Sequence, residues 1–242
     1  MNTQHQESVR RLHLIKELRV AVNTIKSGLG ILQQSVTVVD RKYFLFMLVL
    51  STGLERYMKV LLCLQSLDET GNILSSNELQ NFGHNLISLN DAIADRCFTE
   101  EAMKRSAMRK DLEFIQEGEL IGKTLTVLSD FADASKDRYI YLEGANNPGH
   151  DRDWLDRKWE SIEDLTMPRE RRLRLIEDGE LDEIRIKATN EIVKCIERYL
   201  RALARTETLT GCDGEVKSLG TDAFDFLMKR DDELGSEEYD IC

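Results

Sequence analysis

Residues 43–54 are apolar at almost every position, and Glu55, Arg56 and Lys59 follow within two helical turns. A bilayer crossing needs about 20 consecutive apolar residues, so this run is too short for one and no membrane partner is expected. A helix that is apolar around its whole circumference is stable only when other elements cover every side. The stretch 41–67 therefore predicts the central helix of a bundle, with Asp40 as its N-cap, and the rest of the chain must supply the neighbours. Because it is apolar on more sides than an isolated five-helix bundle can cover, a homodimer or stable hetero-complex is expected. The three charges that close the run need partners of their own, because an unpaired charge in a packed interior is costly.

Helical periodicity supplies those neighbours. Val9, Leu12, Ile15, Leu18, Val22, Ile25, Leu29 and Leu32 recur every three or four residues and predict an amphipathic helix over 8–32. Gly28 and Gly30 lack the preceding strand and third glycine of a dinucleotide fingerprint and are expected to end or loosen that helix. The stretch 67–81 reads as a connection, after which helices are expected over 84–94, 99–117 and 122–135. Glu143-Gly-Ala-Asn-Asn-Pro-Gly-His150 is the strongest turn signal in the chain. Beyond it, helices are expected over 151–165, 168–176 and 180–205. Only two prolines and 14 glycines occur, and no stretch alternates as a strand would. The expected fold is all-α: an antiparallel bundle of about five core helices with extra C-terminal helices, occupying residues 1–206.

Charge is distributed unevenly. The 242 residues hold 44 acidic and 33 basic side chains, a net charge of −11, of which the last 36 residues carry −8. Such a field argues against a general nucleic-acid coat protein or a polybasic membrane-surface protein, but residues 1–206 are almost neutral and leave room for a local basic site. Arg169, Arg171, Arg172 and Arg174 form the densest basic cluster, with Arg171 and Arg174 expected to bind RNA or nucleotide phosphates. A salt-bridged surface helix paired with Glu170, Glu177, Asp178 and Glu180 is the competing reading. Residues 207–242 read as an acidic, flexible tail. Within it Phe224, Phe226, Leu227 and Met228 form an apolar island expected to bind a partner or to rest on the chain's own core.

Five cysteines, an odd number with no Cys-x-x-Cys pair, describe neither a disulfide framework nor a zinc site, and a reducing cytoplasm is the expected compartment. Residues 1–7 lack the basic and apolar regions of a signal peptide. His-Glu-x-x-His, Gly-x-Ser-x-Gly and phosphate-loop patterns are absent from the sequence, so no metal and no cofactor are expected. His150-Asp-Arg-Asp153 reads as a solvated helix start rather than a metal site.

Three polar pieces resist an explanation by packing alone. They are Thr52-Gly-Leu-Glu-Arg-Tyr-Met-Lys-Val-Leu-Leu62, Phe82-Gly-His-Asn-Leu-Ile-Ser-Leu89, and Leu128-Ser-Asp-Phe131 followed by Asp137-Arg-Tyr-Ile-Tyr-Leu-Glu143. If their helices pack together, a carboxylate, an imidazole and a guanidinium meet, as a structural network or as an anion-binding pocket. In that order the pieces resemble the HEPN superfamily of small prokaryotic helical proteins, over residues 41–148. Gly53-Leu-Glu-Arg-Tyr-Met-Lys looks like the family's first core helix, Gly83-His-Asn-Leu86 like its glycine-histidine-asparagine-leucine segment, and Arg138-Tyr-Ile-Tyr-Leu142 like its arginine-tyrosine element.

The resemblance implies a helical dimer and, as in many members, metal-independent endoribonuclease activity in toxin–antitoxin, abortive-infection or CRISPR-linked defence. Catalytic members carry arginine, four to six intervening residues and then histidine on one helix, whereas no histidine of this chain follows an arginine at that spacing. The expected function is thus binding of RNA, a nucleotide or a protein partner as a homodimer or hetero-complex in prokaryotic antiviral defence or toxin–antitoxin systems. The alternative is an endoribonuclease with an atypical composite site. In that site His84 is the acid or base, Glu55 its carboxylate and Arg138 the phosphate holder, while Asn85, Tyr139, Arg56 and Lys59 bind the RNA or nucleotide. A His–Glu–Arg–Tyr network that only fixes helix packing is the other reading of the same residues.

Overall fold

The computed structural model describes residues 3–35, 43–133, 154–209 and 221–240. Among these lie eleven helices and no strand, so the fold is all-α. In chain order they are α1 (Thr3–Gln34), α2 (Tyr43–Thr70), α3 (Ser76–Asn81), α4 (Leu86–Cys97), α5 (Glu100–Met103), α6 (Ser106–Glu117), α7 (Glu119–Ala132), α8 (Trp154–Glu163), α9 (Arg169–Glu177), α10 (Leu181–Leu209) and α11 (Thr221–Met228).

Helix α2 occupies the centre, packed by α1, α4, α7, α8 and α10. Phe46, Met47, Leu50, Leu54, Tyr57 and Met58 are fully buried, and Phe46 meets the buried Trp159 of α8 edge to face with centroids 4.5 Å apart. Leu45 is the one exposed large apolar side chain of α2, and Phe44, Leu48 and Val49 near it are half-buried.

Helices α1 and α2 run antiparallel, as the pairs Arg11–Asp68 and Arg56–Glu17 show. Their approach is unusually close. A Cβ at Gly28 would stand 2.8 Å from the Leu50 side chain, and one at Gly53 would stand 2.9 Å from the Ile25 backbone nitrogen. Gly28 and Gly30 therefore do not end α1, as the sequence suggested. The helix continues to Gln34, and Gly28 within it lacks the side chain that would hold α2 away, while a Cβ at Gly30 would meet the Tyr239 backbone instead.

Three other local expectations change. The stretch read as a connection contains α3, opened by a capping box in which the Ser75 hydroxyl accepts from the Glu78 backbone N–H and Glu78 accepts from that of Ser75. The single helix expected over 99–117 is two helices, α5 and α6, with Thr99 capping the first. Finally, residues 221–240 of the stretch read as a flexible tail are packed: α11 lies on α1 and α10, Phe226 is 0% exposed, and Leu234 and Tyr239 are buried. Burial of Phe226 alone is worth about 1.5–3 kcal/mol. Asp40, Arg138, Tyr139 and His150 to Asp153 lie outside the described residues. No helix among the described residues is long and apolar enough to cross a membrane.

Candidate functional site

Two of the three polar pieces, together with Ser129 of the third, meet at the junction of α2 and α4. Helix α3 ends at a turn in which Gly83 takes φ +54°, a left-handed conformation that glycine adopts without strain. This turn brings the next residue, His84, back against α2. Asn85 then opens α4, its side-chain carbonyl accepting from the Ser88 backbone N–H at 2.9 Å. Ser129 of α7 secures the same point, its hydroxyl accepting from the Leu86 backbone N–H at 3.1 Å. The start of α4 is thereby fixed against α7 as well as α2.

Glu55 and Lys59 lie one turn apart on α2 and complete the cluster. His84 Nδ1 stands 2.7 Å from Glu55 Oε2. Lys59 Nζ donates to Glu55 Oε1 at 2.7 Å and to the Gly83 carbonyl at 2.7 Å. Lys59 therefore ties the carboxylate and the turn that carries the histidine into one unit. The His84 side chain is 50% exposed and that of Glu55 is 15% exposed, so the imidazole faces water while its anchor is largely withdrawn.

An ionised carboxylate only accepts hydrogen bonds, so the proton in the His84–Glu55 contact resides on Nδ1. In neutral His84 this leaves Nε2 as a base, and in the protonated ring Nε2–H is a donor. Nε2 has no hydrogen-bond partner among the described residues. A fixed ring with one engaged and one available nitrogen is suited to accepting a proton from a bound molecule or donating one to it.

The remaining sequence candidates distribute as follows. Arg56 turns to Glu17 of α1, at 3.4 Å, and so belongs to the α1–α2 contact rather than to the histidine cluster. Arg171 and Arg174 are exposed on α9, which packs against α10, and Arg172 of the same helix pairs with Asp164. Phe226 is buried beneath Lys26 and Lys229, whose amines lie 5.7 and 6.0 Å from its ring centroid, while Leu227 is half-buried and Met228 exposed. Phe224 lies in α11 with its side chain outside the described residues. The apolar island thus uses Phe226 to hold its own chain.

Cys63, Cys97 and Cys195 are buried, and burial pushes the Cys195 thiol up to about 12 and raises that of Cys63, so neither of these two is a thiolate at neutral pH. Among the described residues no group of three or more histidine, cysteine, aspartate or glutamate side chains is arranged to hold a metal ion. Comparison of the chain with protein-family models, curated proteins and solved structures finds no match in any of the three.

Proposed function

We propose that this chain is a HEPN-like helical module that works as a dimer and binds RNA at the α2–α4 junction, in a prokaryotic defence or toxin–antitoxin setting. The observation that carries this reading is the 2.7 Å contact between His84 Nδ1 and Glu55 Oε2 beneath a half-exposed imidazole. A histidine serving packing alone is generally enclosed, whereas this one is oriented from below and open above. The exposed Arg171 and Arg174 supply cationic groups for the phosphate backbone at a separate place.

The same contact favours a second reading, metal-independent endoribonuclease activity. His84 Nε2 would remove the proton of a ribose 2′-hydroxyl as that oxygen attacks the adjacent phosphorus. The phosphorus–oxygen bond to the next nucleotide then breaks, leaving a 2′,3′-cyclic phosphate, and the departing 5′-oxygen takes its proton from water while the His84 imidazolium later returns its own to solvent. Glu55 holds the ring and stabilises the imidazolium formed in the step, as an orienting carboxylate does beside other catalytic histidines.

Fluorescence anisotropy with a single-stranded RNA, and gel analysis of the same RNA in EDTA, test both readings. Wild type should bind, and His84→Ala and Glu55→Gln should weaken binding about tenfold or more. Cleavage by wild type that is lost in His84→Ala, and absent on DNA of equal sequence, establishes the enzyme. Equal binding by wild type and both variants would overturn the site.

A further inference from the structure

We propose that the Arg201 guanidinium of α10, flanked by Arg198 and Arg205, is a binding site for a phosphate group, and that the Asp231 carboxylate covers it in the free protein. That RNA supplies the phosphate rests on the reading above, whereas the site itself is built from residues that reading does not use.

The three arginines recur at i, i+3 and i+7 and so share one face of α10. At a rise of about 1.5 Å per residue they span roughly 10 Å along the helix axis. Two of them are fixed by α6. The exposed Arg198 guanidinium lies 4.0 Å from the centroid of the Phe114 ring, and among the described residues no carboxylate pairs with it. Arg205 Nη1 donates to both oxygens of the buried Asp111, at 2.9 and 2.8 Å. Arg201 stands between them with its side chain only 6% exposed. Its Nη1 donates to the Lys229 carbonyl at 2.8 Å, and its Nη2 donates to Asp231 Oδ1 at 2.5 Å.

Asp231 is an incomplete partner for this site. Nη2–H and Nε–H project from the same edge of the planar guanidinium, an edge that matches two oxygens of one anion. Asp231 takes Nη2 alone, and Arg201 Nε is buried without an acceptor. A buried donor in that state is costly, so the edge is short of one oxygen. The Asp231 side chain is 91% exposed, and an exposed acid gains little from its ion pair, so it can turn away into water. Its hydrogen bond to Arg201, and then the charges of Arg201, Arg198 and Arg205, hold its carboxyl below the usual range, so all three guanidiniums act on the point it occupies. A phosphate diester brings two unesterified oxygens, one for Nη2 and one for Nε, and the Arg198 charge beside them. A free carboxylate has no such advantage, because Asp231 is already a carboxylate tethered at the site. Neighbouring acids are engaged elsewhere: Asp232 and Glu233 pair with Arg230, and Glu197 and Glu237 with Lys229. The rest of the segment stays seated, with Phe226 in the core and Gly235 and Tyr239 bonded to Glu197.

Full-length wild type, Asp231→Ala, Asp232→Ala and Arg198→Ala, all changed at exposed side chains, provide the test. Single-stranded RNA binding is measured by fluorescence anisotropy. Proton–nitrogen NMR follows the arginine Nε–H signals, with that of Arg201 assigned by Arg201→Lys, during titration with the RNA and separately with inorganic phosphate. Asp231→Ala should tighten RNA binding about three- to tenfold at low salt, Asp232→Ala should do so much less although it removes the same charge, and Arg198→Ala should weaken binding. Both probes should shift the Arg201 Nε–H signal, and at lower concentration in Asp231→Ala than in wild type. Equal tightening by Asp231→Ala and Asp232→Ala would reveal a general charge effect and overturn the site, as would an Arg201 signal that neither probe moves. If inorganic phosphate moves that signal while RNA does not bind, the phosphate site stands and the RNA reading falls. If RNA moves the His84 ring signals and leaves Arg201 in place, the RNA reading stands and this site is overturned.

Discussion

Two glutamates on long helices hold polar partners in opposite surroundings, and the difference predicts opposite phenotypes. His84 over Glu55 is half in water, and an exposed hydrogen-bonded contact of this kind contributes about 0–1 kcal/mol. His84→Ala should therefore leave the urea midpoint nearly unchanged while weakening RNA binding. Glu197 has no exposed surface and accepts from Lys229 Nζ, the Tyr239 hydroxyl and the Gly235 N–H, so Glu197→Ala should cost about 2–4 kcal/mol by leaving the buried phenol and N–H without an acceptor, while Glu237 still pairs with Lys229. Intrinsic tryptophan fluorescence through a urea titration measures both, and a large loss for His84→Ala would mark the cluster as structural. At this scale the sequence was informative where a charge interrupts an apolar pattern. Glu55 and Lys59 stand out for that reason and find His84 and each other. The Lys59 bond to the Gly83 carbonyl was illegible, because a backbone acceptor has no sequence signature. Glu197 lies on α10 among the buried Ala188, Ile192, Cys195 and Tyr199, and a single acid in a helix otherwise rich in charge carries no signal of burial. Val193, Ile196 and Leu200 are buried too, and that wider face calls for a further covering element, which the C-terminal segment supplies.

At the scale of elements, the close contact of α1 and α2 gives the sharpest expectation. Gly→Ala within a helix normally gains about 1 kcal/mol of propensity. At Gly53 the added methyl meets the Ile25 backbone, which cannot rotate away, so overpacking of about 1–3 kcal/mol should prevail. Gly53→Ala should lower the melting temperature by several degrees in a circular-dichroism melt; an increase would show that the helices separate freely. Long helices were legible because an apolar stripe persists over many turns, and boundaries moved by only a few residues. Helix α3 was missed although Ser75 and Glu78 carry the capping-box pattern, because its six residues bury no side chain and leave no periodicity to read. The break between α5 and α6 is too short to disturb the stripe that suggested one helix.

At the scale of the whole molecule, the C-terminal segment links stability to pH. Burial, then the hydrogen bond to Glu197, holds the Tyr239 phenol far above its ordinary range. Below about pH 10 the unfolded phenol is neutral as well, so this contribution is complete; above it the unfolded state ionises first and stability falls. Tyr239→Phe should flatten that alkaline decline in urea midpoints measured from pH 8 to 11, and an unchanged slope would place the titration elsewhere. Arg201, chiefly through its hydrogen bond, holds the Asp231 carboxyl below its usual range, a contribution present above about pH 4 and lost as pH falls through the folded value. Asp231 is largely exposed, so this effect is small. Composition pointed to a flexible tail because acidic residues dominate it, and the few side chains that anchor it, Phe226, Leu234 and Tyr239, are too sparse to form a pattern.

The central claim is that RNA meets His84. Nitrogen-15 and proton NMR of the histidine rings in the full-length chain, assigned by His84→Ala and titrated with single-stranded RNA in EDTA, tests it at the atom concerned. The account predicts a saturable shift of the His84 ring signals, with those of His13 on α1 left in place. RNA that binds without moving the His84 signals, or that does not bind at all, would contradict it.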